Sequence, residues 1–191
     1  MSVVKRFASV AATALALLAV GLTGPASAAT TQADTAFGEQ ARAAGLTQVQ
    51  ADALQTKVEG NLACLGGRQV SANEIRLAEG ATLLVPVPGE KYARDLTSPA
   101  GTRSALAWEC TYEYFCMYRG QNGTGERLAL YYCQDYALDN WTGLGSWWNY
   151  QTSGTRAQFK NQSGTVIYTT PGASSYNGSY NWTPVWYVKP C

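Results

Sequence analysis

Apolar residues recur at steps of three and four between residues 46 and 65, and this period predicts a helix with one apolar stripe. Thr47 and Gln50 have the spacing of a capping box, which starts such a helix, and Gly66 ends it. A weaker helical pattern precedes it over residues 34–44. The sequence therefore predicts a helix pair, in which the stripe of the second helix consists of Leu46, Val49, Ala53, Leu54, Val58, Leu62 and Leu65.

The polarity pattern after the helix pair changes to that of strands. Residues 69–77 alternate loosely and residues 81–87 are strand-like, with a turn signal at Glu79 and Gly80 between them. This order predicts a hairpin. Residues 96–107 are rich in small residues, Pro and Gly, which is typical of a linker.

From Trp108 onward no helical period is visible, and short strand-like runs recur between turn signals, which predicts an antiparallel sandwich or a small barrel. This stretch holds all six tryptophans and eleven of the twelve tyrosines, whose rings we expect to fill the thin core of a small β-domain. Since Trp147 and Trp148 are adjacent on one predicted strand, they must point to opposite faces. The sequence thus predicts a mainly β fold, with a β-domain at residues 108–191 preceded by a small α+β segment at residues 29–95.

The first 28 residues have the pattern of an export signal. Lys5 and Arg6 give a basic start, residues 8–20 are almost wholly apolar, and a small-x-small motif ends at Ala28. The apolar run is short for a membrane span and no charged stop-transfer pattern follows it, which favours a signal peptide over the alternative of a membrane anchor. We therefore expect residues 1–28 to be cleaved off and the protein to be secreted into the extracellular space.

The net charge of the predicted mature chain limits the classes of partner that it can attract. Cleavage after Ala28 leaves 163 residues that carry 12 Lys and Arg against 13 Asp and Glu, a formal charge of −1. This balance of charge gives no electrostatic reason to expect nucleic acid or an anionic membrane surface as a partner. We expect neither nucleic acid nor membrane as a partner of the mature form, and we expect a monomer.

The chain contains no histidine, and this excludes several classes of enzyme. Ser-His-Asp and Cys-His catalysis and His-ligated zinc are all ruled out. A pair of carboxylates remains as a catalytic device, with Glu113, Glu126, Asp135 and Asp139 as candidates, but nothing in the sequence marks a raised pKa or a cleft around them. We therefore predict no catalytic residue and no enzymatic activity.

All five cysteines lie in the predicted mature chain, where an oxidising compartment favours pairing. The four at Cys110, Cys116, Cys133 and Cys191 allow three pairings. We favour Cys116 with Cys133, which would tie neighbouring strands, and Cys110 with Cys191, which would fasten the last residue to the start of the domain. Cys64 is the cysteine left over, because it lies about 120° from the centre of the helical stripe. It is either an exposed, inert thiol or a reactive thiol that pairs with another molecule.

Tyr118 and Gly125 are separated by six residues, and this spacing resembles the Greek-key signature of the βγ-crystallin fold, in which an aromatic ring packs over a folded hairpin. The stretches FCMYRGQNGTGERLALYYC and GSWWNYQTSGTRAQF resemble secreted actinobacterial metalloproteinase inhibitors of peptidase inhibitor family 36. The likeness is close over residues 108–160 and looser to Cys191, and the leader region of such proteins is similar to GGRQVSANEI and VPGEKYARDL. It implies a disulfide-stapled, βγ-crystallin-like Greek-key sandwich that blocks an extracellular protease, with metalloproteases among the candidates.

An inhibitor of this kind gains affinity by holding a segment in its bound shape before it meets the protease. Two segments are candidates for that role: the longest polar stretch, at residues 170–181, and the hairpin near residue 122. The alternative for both is a plain surface loop. The candidate residues are Tyr176, Asn177, Gly178 and Tyr180 in the first segment and Asn122 and Gly123 in the second.

Some βγ-crystallin-like folds bind calcium through paired Asn or Asp residues followed by Ser or Thr, and Asp139, Asn140 and Ser146 match this pattern in part. Ser146 lies two positions late, and the set supplies one carboxylate, whereas calcium favours six or more oxygen ligands. The alternative is an Asx turn that leads into the next strand. We therefore expect no cofactor, with calcium at these three residues as the one candidate.

Two other classes of function compete with inhibition. A binding module for cell-wall glycan or another surface would use exposed tryptophans as stacking faces, and a structural or toxin-like secreted protein would have no protease target. A flat, exposed row of tryptophans would favour the glycan, whereas a rigid loop beside buried tryptophans would favour inhibition. The tryptophans to compare are Trp141, Trp147, Trp148, Trp182 and Trp186.

Overall fold

The structure is a computed structural model that describes residues 36–77, 80–97 and 108–191. The predicted signal peptide lies outside these ranges, as does most of the predicted linker at residues 96–107. Among the described residues, no helix combines the length and the apolar composition that a membrane crossing needs.

Two α-helices lie in the described part of the chain: α1 covers residues 36–43 and α2 covers Gln48–Leu65. The predicted capping box is confirmed. The Thr47 hydroxyl accepts the Gln50 N–H at 3.3 Å, and the Gln50 side-chain oxygen accepts the Thr47 N–H at 3.0 Å. The predicted end of the helix is confirmed as well, at Gly66.

The buried face of α2 is narrower than the predicted stripe. Leu54 and Val58 are buried, as predicted, and Ala51 continues their face toward the start of the helix. Val49 is 77% exposed and Ala53 is exposed, because both lie off the line of steps of three and four that runs through Ala51. The helix packs on the following strands through this short line of side chains.

Eleven strands follow in the described residues, and all pairings between them are antiparallel. They are β1 (Arg68–Ser71), β2 (Glu74–Arg76), β3 (Thr82–Leu84), β4 (Tyr114–Tyr118), β5 (Arg127–Leu130), β6 (Tyr136–Ala137), β7 (Leu144–Tyr150), β8 (Gln158–Lys160), β9 (Val166–Thr169), β10 (Ser175–Asn181) and β11 (Tyr187–Lys189).

These strands form two sheets. Seven lie in the order β1-β2-β3-β5-β4-β7-β10, and four lie in the order β6-β11-β8-β9. The strands from β4 to β7 and from β8 to β11 are two units with the same arrangement: the second and fourth strands flank the first, and the third joins the opposite sheet. The predicted mainly β class is therefore confirmed, and the two units interlock by exchanging β6 and β10.

The predicted hairpin at residues 69–87 is present, but it contains one more strand than expected. β2 pairs with β3 across the predicted turn, and the first predicted strand is itself folded into β1 and β2. Asn73 fixes this extra fold, because its buried side-chain amide donates to the carbonyls of Val85 and Arg94 at 2.9 and 2.8 Å. β3 then pairs with β5, so the N-terminal strands share one sheet with strands of residues 108–191.

The two sheets enclose a core of aromatic rings, as the composition predicts. Phe115, Trp147 and Phe159 lie within 6.2 Å of one another, centroid to centroid, and Trp182 lies 5.2 Å from Phe159. None of these four side chains is more than 1% exposed. Trp148 is half-buried on the other face of β7, which confirms the predicted alternation with Trp147.

The disulfide pairing differs from the one favoured from the sequence. Cys110 pairs with Cys116, and Cys133 pairs with Cys191. Cys116 lies in the middle of β4, opposite Ala129 of β5, whereas Cys133 lies four residues beyond that pair, about 13 Å along the strand direction. Since a disulfide needs Cα atoms within about 7 Å, this register excludes Cys116 with Cys133.

The chain folds back on itself between Cys110 and Cys116, through Glu113 with a φ of 76°, and this brings the two Cα atoms to 5.8 Å. Cys64 is exposed and free, as expected for the cysteine left over. Two disulfides are typical of a protein from an oxidising compartment. Secretion itself stays a prediction, because the predicted signal peptide lies outside the described residues.

Two tyrosines, Tyr118 buried and Tyr180 half-buried, give the stability of the fold a pH dependence. Burial raises the pKa of the Tyr180 phenol to about 12, and burial also raises the pKa of Tyr118 above its usual value. In the unfolded chain, a tyrosine phenol has a pKa of about 10. We therefore expect the contribution of these two phenols to the free energy of unfolding to be fully present below about pH 10 and to fall as the pH rises from there toward 12.

Urea unfolding between about pH 8 and 11 checks this prediction. Tyr180→Phe should make the free energy of unfolding fall less steeply with rising pH, whereas Tyr132→Phe, at an exposed ring, should leave this fall unchanged. Equal slopes for the two variants would contradict the role of burial at Tyr180.

Candidate functional site

The hairpin between β4 and β5 ends in a tight 3₁₀ turn at Gln121–Gly123. Asn122 has a φ of 52° and Gly123 a φ of 75°, both in the left-handed region that asparagine and glycine adopt most readily. The Gly120 N–H donates to the Thr124 carbonyl at 2.8 Å and closes the turn. The predicted site residues Asn122 and Gly123 are therefore part of an ordered turn, with Asn122 exposed at its tip and Gly123 buried.

Ser146 of β7 fixes this turn to the neighbouring strand. Its buried hydroxyl donates to the Gly120 carbonyl at 2.7 Å and accepts the Gly123 N–H at 2.8 Å. It thereby provides a partner for a buried backbone donor, as a stable fold requires. The turn is held in this shape by the protein's own contacts.

Ser146→Ala is expected to lower the free energy of unfolding by about 2 kcal/mol, because it leaves the buried Gly123 N–H without an acceptor. Chemical denaturation measures this loss. The matched control is Ser163→Ala, which removes an exposed hydroxyl from a hairpin of the other sheet and should cost about 0.5 kcal/mol or less. A loss no larger than that of the control would contradict the bridging role of Ser146.

The longest polar stretch of the β-domain is a strand and not the predicted loop. Ser175–Asn181 forms β10, which pairs with β7 at one edge of the seven-stranded sheet. Tyr176 lies opposite Trp148 and is 67% exposed, whereas Tyr180 is half-buried, 5.1 Å from Phe159 in the core. β10 belongs to the second unit but pairs with β7 of the first, and the local composition does not reveal this partner.

The two candidate segments from the sequence lie against each other. The Gln121 side-chain amide donates to the Ser179 hydroxyl at 2.7 Å. A Cβ atom on Gly178 would lie 2.5 Å from the Asn122 side-chain oxygen, so the Asn122 side chain lies directly against the backbone of β10. The Asn177 side-chain oxygen accepts the Ser179 N–H at 2.8 Å where the register of β10 shifts. The turn and β10 therefore present one continuous surface.

Five aromatic side chains continue this surface across the outer face of the seven-stranded sheet, and we call them the aromatic strip. Their rings follow one another in the order Tyr112, Tyr150, Trp148, Trp108 and Tyr176, with centroid separations of 5.6, 5.2, 6.1 and 5.4 Å. The two end rings, Tyr112 and Tyr176, are 56% and 67% exposed, and the three between them are half-buried.

Trp108 joins the aromatic strip to the turn. A Cβ atom on Gly123 would lie 1.8 Å from the Cβ of Trp108, so the two residues pack directly on each other. The disulfide between Cys110 and Cys116 fixes the segment that carries Trp108 and Tyr112 to β4. The strip is therefore anchored by a covalent bond as well as by packing.

The tryptophans do not form a flat exposed row. Trp141, Trp147 and Trp182 are at most 3% exposed. Trp108 and Trp148 are half-buried with ring planes inclined by 52°, and the other successive rings of the strip are inclined by 35° to 81°. The arrangement found is a rigid turn beside buried and inclined tryptophans.

The predicted calcium ligands have other contacts. The Ser146 hydroxyl binds the turn, and the Asn140 carbonyl accepts a hydrogen bond from the Arg119 guanidinium at 2.6 Å. Arg119, which also lies 4.5 Å over the Trp141 ring, places a positive charge where calcium would have to bind. Within the described ranges no group of three or more His, Cys, Asp or Glu side chains is placed to hold a metal ion. Calcium at Asp139 stays a prediction, and the arginine contact argues against it.

The acids considered for a carboxylate pair have structural contacts or are exposed. Glu126 forms an ion pair with Arg119 at 2.7 Å, and Asp135 forms one with the lysine of β8 at 2.6 Å. Glu113 and Asp139 are exposed.

The sequence did not identify the aromatic strip as a site. Trp148 and Tyr150 are two residues apart on one strand and therefore share a face, which is a signal that the sequence contains. Trp108 and Tyr112 give no such signal, because their position depends on the disulfide of Cys110, for which the sequence favoured another partner.

Comparison of the chain with protein-family models, with curated proteins and with solved structures found no match. Function is therefore inferred from the geometry of the turn and the aromatic strip, together with the sequence likeness given above.

Proposed function

We propose that the chain is a secreted protein-binding module that blocks an extracellular peptidase. The observation that supports this best is the turn at Gln121–Gly123, which Ser146 holds in one shape and which adjoins the aromatic strip. A peptidase cleft binds more tightly a segment that needs no ordering on binding. Tyrosine and tryptophan beside such a segment are among the side chains that most often anchor a protein interface.

We also propose that the two four-strand units are Greek keys of the βγ-crystallin type. In support, each unit places its third strand in the opposite sheet. In the first unit, Gly125 has a φ of 80° and follows the buried ring of Tyr118 by seven positions, and Ser146 ties the folded hairpin to the fourth strand. These features agree with the spacing of Tyr118 and Gly125, on which the likeness to the βγ-crystallin fold rests.

Peptide hydrolysis by a thermolysin-like metallopeptidase and by a subtilisin-like serine peptidase, measured with increasing amounts of the mature chain, tests the proposed inhibition. We expect at least one of the two to be inhibited at micromolar concentrations of the chain. Failure of the wild-type chain to slow either peptidase at those concentrations would refute inhibition.

Asn122→Gly tests the turn itself, because it removes the exposed side chain and keeps the left-handed backbone conformation accessible. We expect it to weaken inhibition by about tenfold or more, as the loss of an interface anchor does. Gln162→Ala, in an exposed hairpin of the four-stranded sheet, is the matched control and should leave inhibition unchanged. Equal inhibition by both variants would show that the peptidase contacts another surface.

A glycan-binding module is the second candidate, and Trp186 is the observation that favours it. Its indole is 46% exposed and lines a shallow groove of about 460 Å³ with Asn161, Gln162 and Ser163. An exposed ring beside polar side chains offers a sugar both a stacking face and hydrogen bonds. Retention on insoluble cell-wall glycan by the wild type and its loss in Trp186→Ala would support this function, whereas equal retention of the two would reject it.

A further inference from the structure

The aromatic strip has features of a binding site for an extended peptide. We propose that it binds a proline-rich segment of a partner protein in the polyproline II conformation. This goes beyond the proposed contact between the turn and a peptidase, because it concerns the outer face of the sheet and holds whether or not the partner is a peptidase.

The ring planes of the strip are inclined to one another, by 74°, 35°, 52° and 81° from Tyr112 to Tyr176. Inclined rings leave wedge-shaped spaces between them, and aromatic-lined grooves are the sites that receive the side chains of a polyproline II helix. With four steps of 5.2–6.1 Å, the strip is at most about 22 Å long, which is the length of about seven residues at roughly 3.1 Å each.

The polar atoms of the strip match the needs of a proline-rich backbone. Within the described residues, no hydrogen bond uses the hydroxyls of Tyr112, Tyr150 and Tyr176 or the indole N–H groups of Trp108 and Trp148. Proline has a carbonyl acceptor but no backbone donor. A row of side-chain donors therefore complements a proline-rich chain better than a chain that carries its own N–H groups.

Charge argues against nucleic acid and anionic membranes as ligands of the strip. The segments that carry the strip, residues 108–113, 144–150 and 175–181, contain no Lys or Arg, and Glu109 and Glu113 are their only charged residues. Nucleic acid and anionic membranes bind through cationic side chains, which these segments lack. Exposed Glu113, next to Tyr112, instead favours a basic residue at one end of the bound peptide.

The strip is fixed before a ligand arrives. Trp148 and Tyr150 belong to β7, which lies between β4 and β10 in the sheet, and the Cys110–Cys116 disulfide holds the segment of Trp108. Little backbone freedom of these segments would be lost on binding, so a short peptide can bind without the ordering cost of a flexible loop.

Isothermal titration of the purified chain with a proline-rich peptide of about ten residues that ends in arginine tests the proposal, with peptide added to about 1 mM. We expect saturable binding of this peptide and none of an Ala-Ser-Gly peptide of equal length. Trp148→Ala should weaken binding by about tenfold or more. Tyr176→Ala, at the most exposed ring, should also weaken binding of the peptide, and it replaces Trp148→Ala in the test if that variant does not fold. Trp186→Ala is the control, because this exposed tryptophan lines a separate groove with Asn161 and Ser163, and it should bind as the wild type does.

The absence of saturable binding of the proline-rich peptide would overturn the proposal. Equal affinity of the wild type and Tyr176→Ala would also overturn it, as would tighter binding of chitohexaose or of a thymidine oligonucleotide than of the peptide. A chain that inhibits a peptidase but does not bind the peptide refutes this inference alone. A chain that binds the peptide but inhibits no peptidase refutes the proposed function alone.

Discussion

Replacing Cys133 and Cys191 together by serine is expected to lower the free energy of unfolding by about 4 kcal/mol. This disulfide closes a loop with a sequence separation of 58, and the conformational entropy that a cross-link removes from the unfolded chain grows with the logarithm of loop length. It also ties the segment after β5 to the segment after β11, so both sheets are joined through it. Urea unfolding of the oxidised wild type and the double variant measures the loss.

The double variant Cys110→Ser with Cys116→Ser is the matched control. Its disulfide spans a separation of only 6, which predicts a loss of about 2 kcal/mol by the same relation. Binding of the proline-rich peptide should be weakened more in this control than in the variant without Cys133 and Cys191, because the disulfide of Cys110 holds the segment that carries Trp108 and Tyr112. Equal stability losses, or a larger loss for the short loop, would contradict the entropic explanation.

Trp147→Ala is expected to lower the free energy of unfolding by about 3–5 kcal/mol, the range for an aromatic ring deleted from a core. Trp147 is 1% exposed, and its ring lies 6.0 Å from Phe115 and 6.2 Å from Phe159, so the cavity would open between the two sheets. Urea unfolding measures the loss, and Trp147→Phe, which keeps a ring in the site, should recover part of it.

Trp148, the neighbour of Trp147 on β7, provides the matched comparison. Trp148→Ala removes the same side chain from the outer face, where it is half-buried, and we expect a loss of about 1 kcal/mol. The two adjacent variants thus separate the core from the strip: the first should lose stability, and the second should lose peptide binding. Similar stability losses for the two would contradict the assignment of their faces.

Local signals predicted the parts of the fold that depend on near neighbours in sequence. The capping box of Thr47 and Gln50, the end of α2 at Gly66 and the alternation of Trp147 with Trp148 are all decided within a few residues. The mainly β class followed from the spacing of turn signals and from the density of rings after Trp108.

Features that depend on distant pairing could not be predicted in this way. β10 reads as a polar loop because its partner, β7, belongs to the other four-strand unit. The disulfides follow from the register of β4 with β5, which leaves Cys133 beyond the reach of Cys116. Asn73 folds an expected single strand into two through contacts with residues 12 and 21 positions away.

The sequence identified segments of the candidate site separately, and only the fold shows that they are in contact. The sequence offered Asn122 with Gly123 and Tyr176 with Gly178 as alternatives, and in the fold Asn122 lies against Gly178. Trp108 was not recognised as part of the site, since its contact with Gly123 requires the folded turn and the neighbouring disulfide together.

Exchange of the Gly123 backbone amide with deuterated water, followed by NMR on the free wild-type chain, tests most directly whether the turn is rigid before it meets a partner. The N–H is buried and donates to Ser146, so we predict protection of about a thousandfold or more over an unstructured peptide, and loss of most of it in Ser146→Ala. Exchange of this amide in the wild type at the rate of an unstructured peptide would contradict a preformed binding surface.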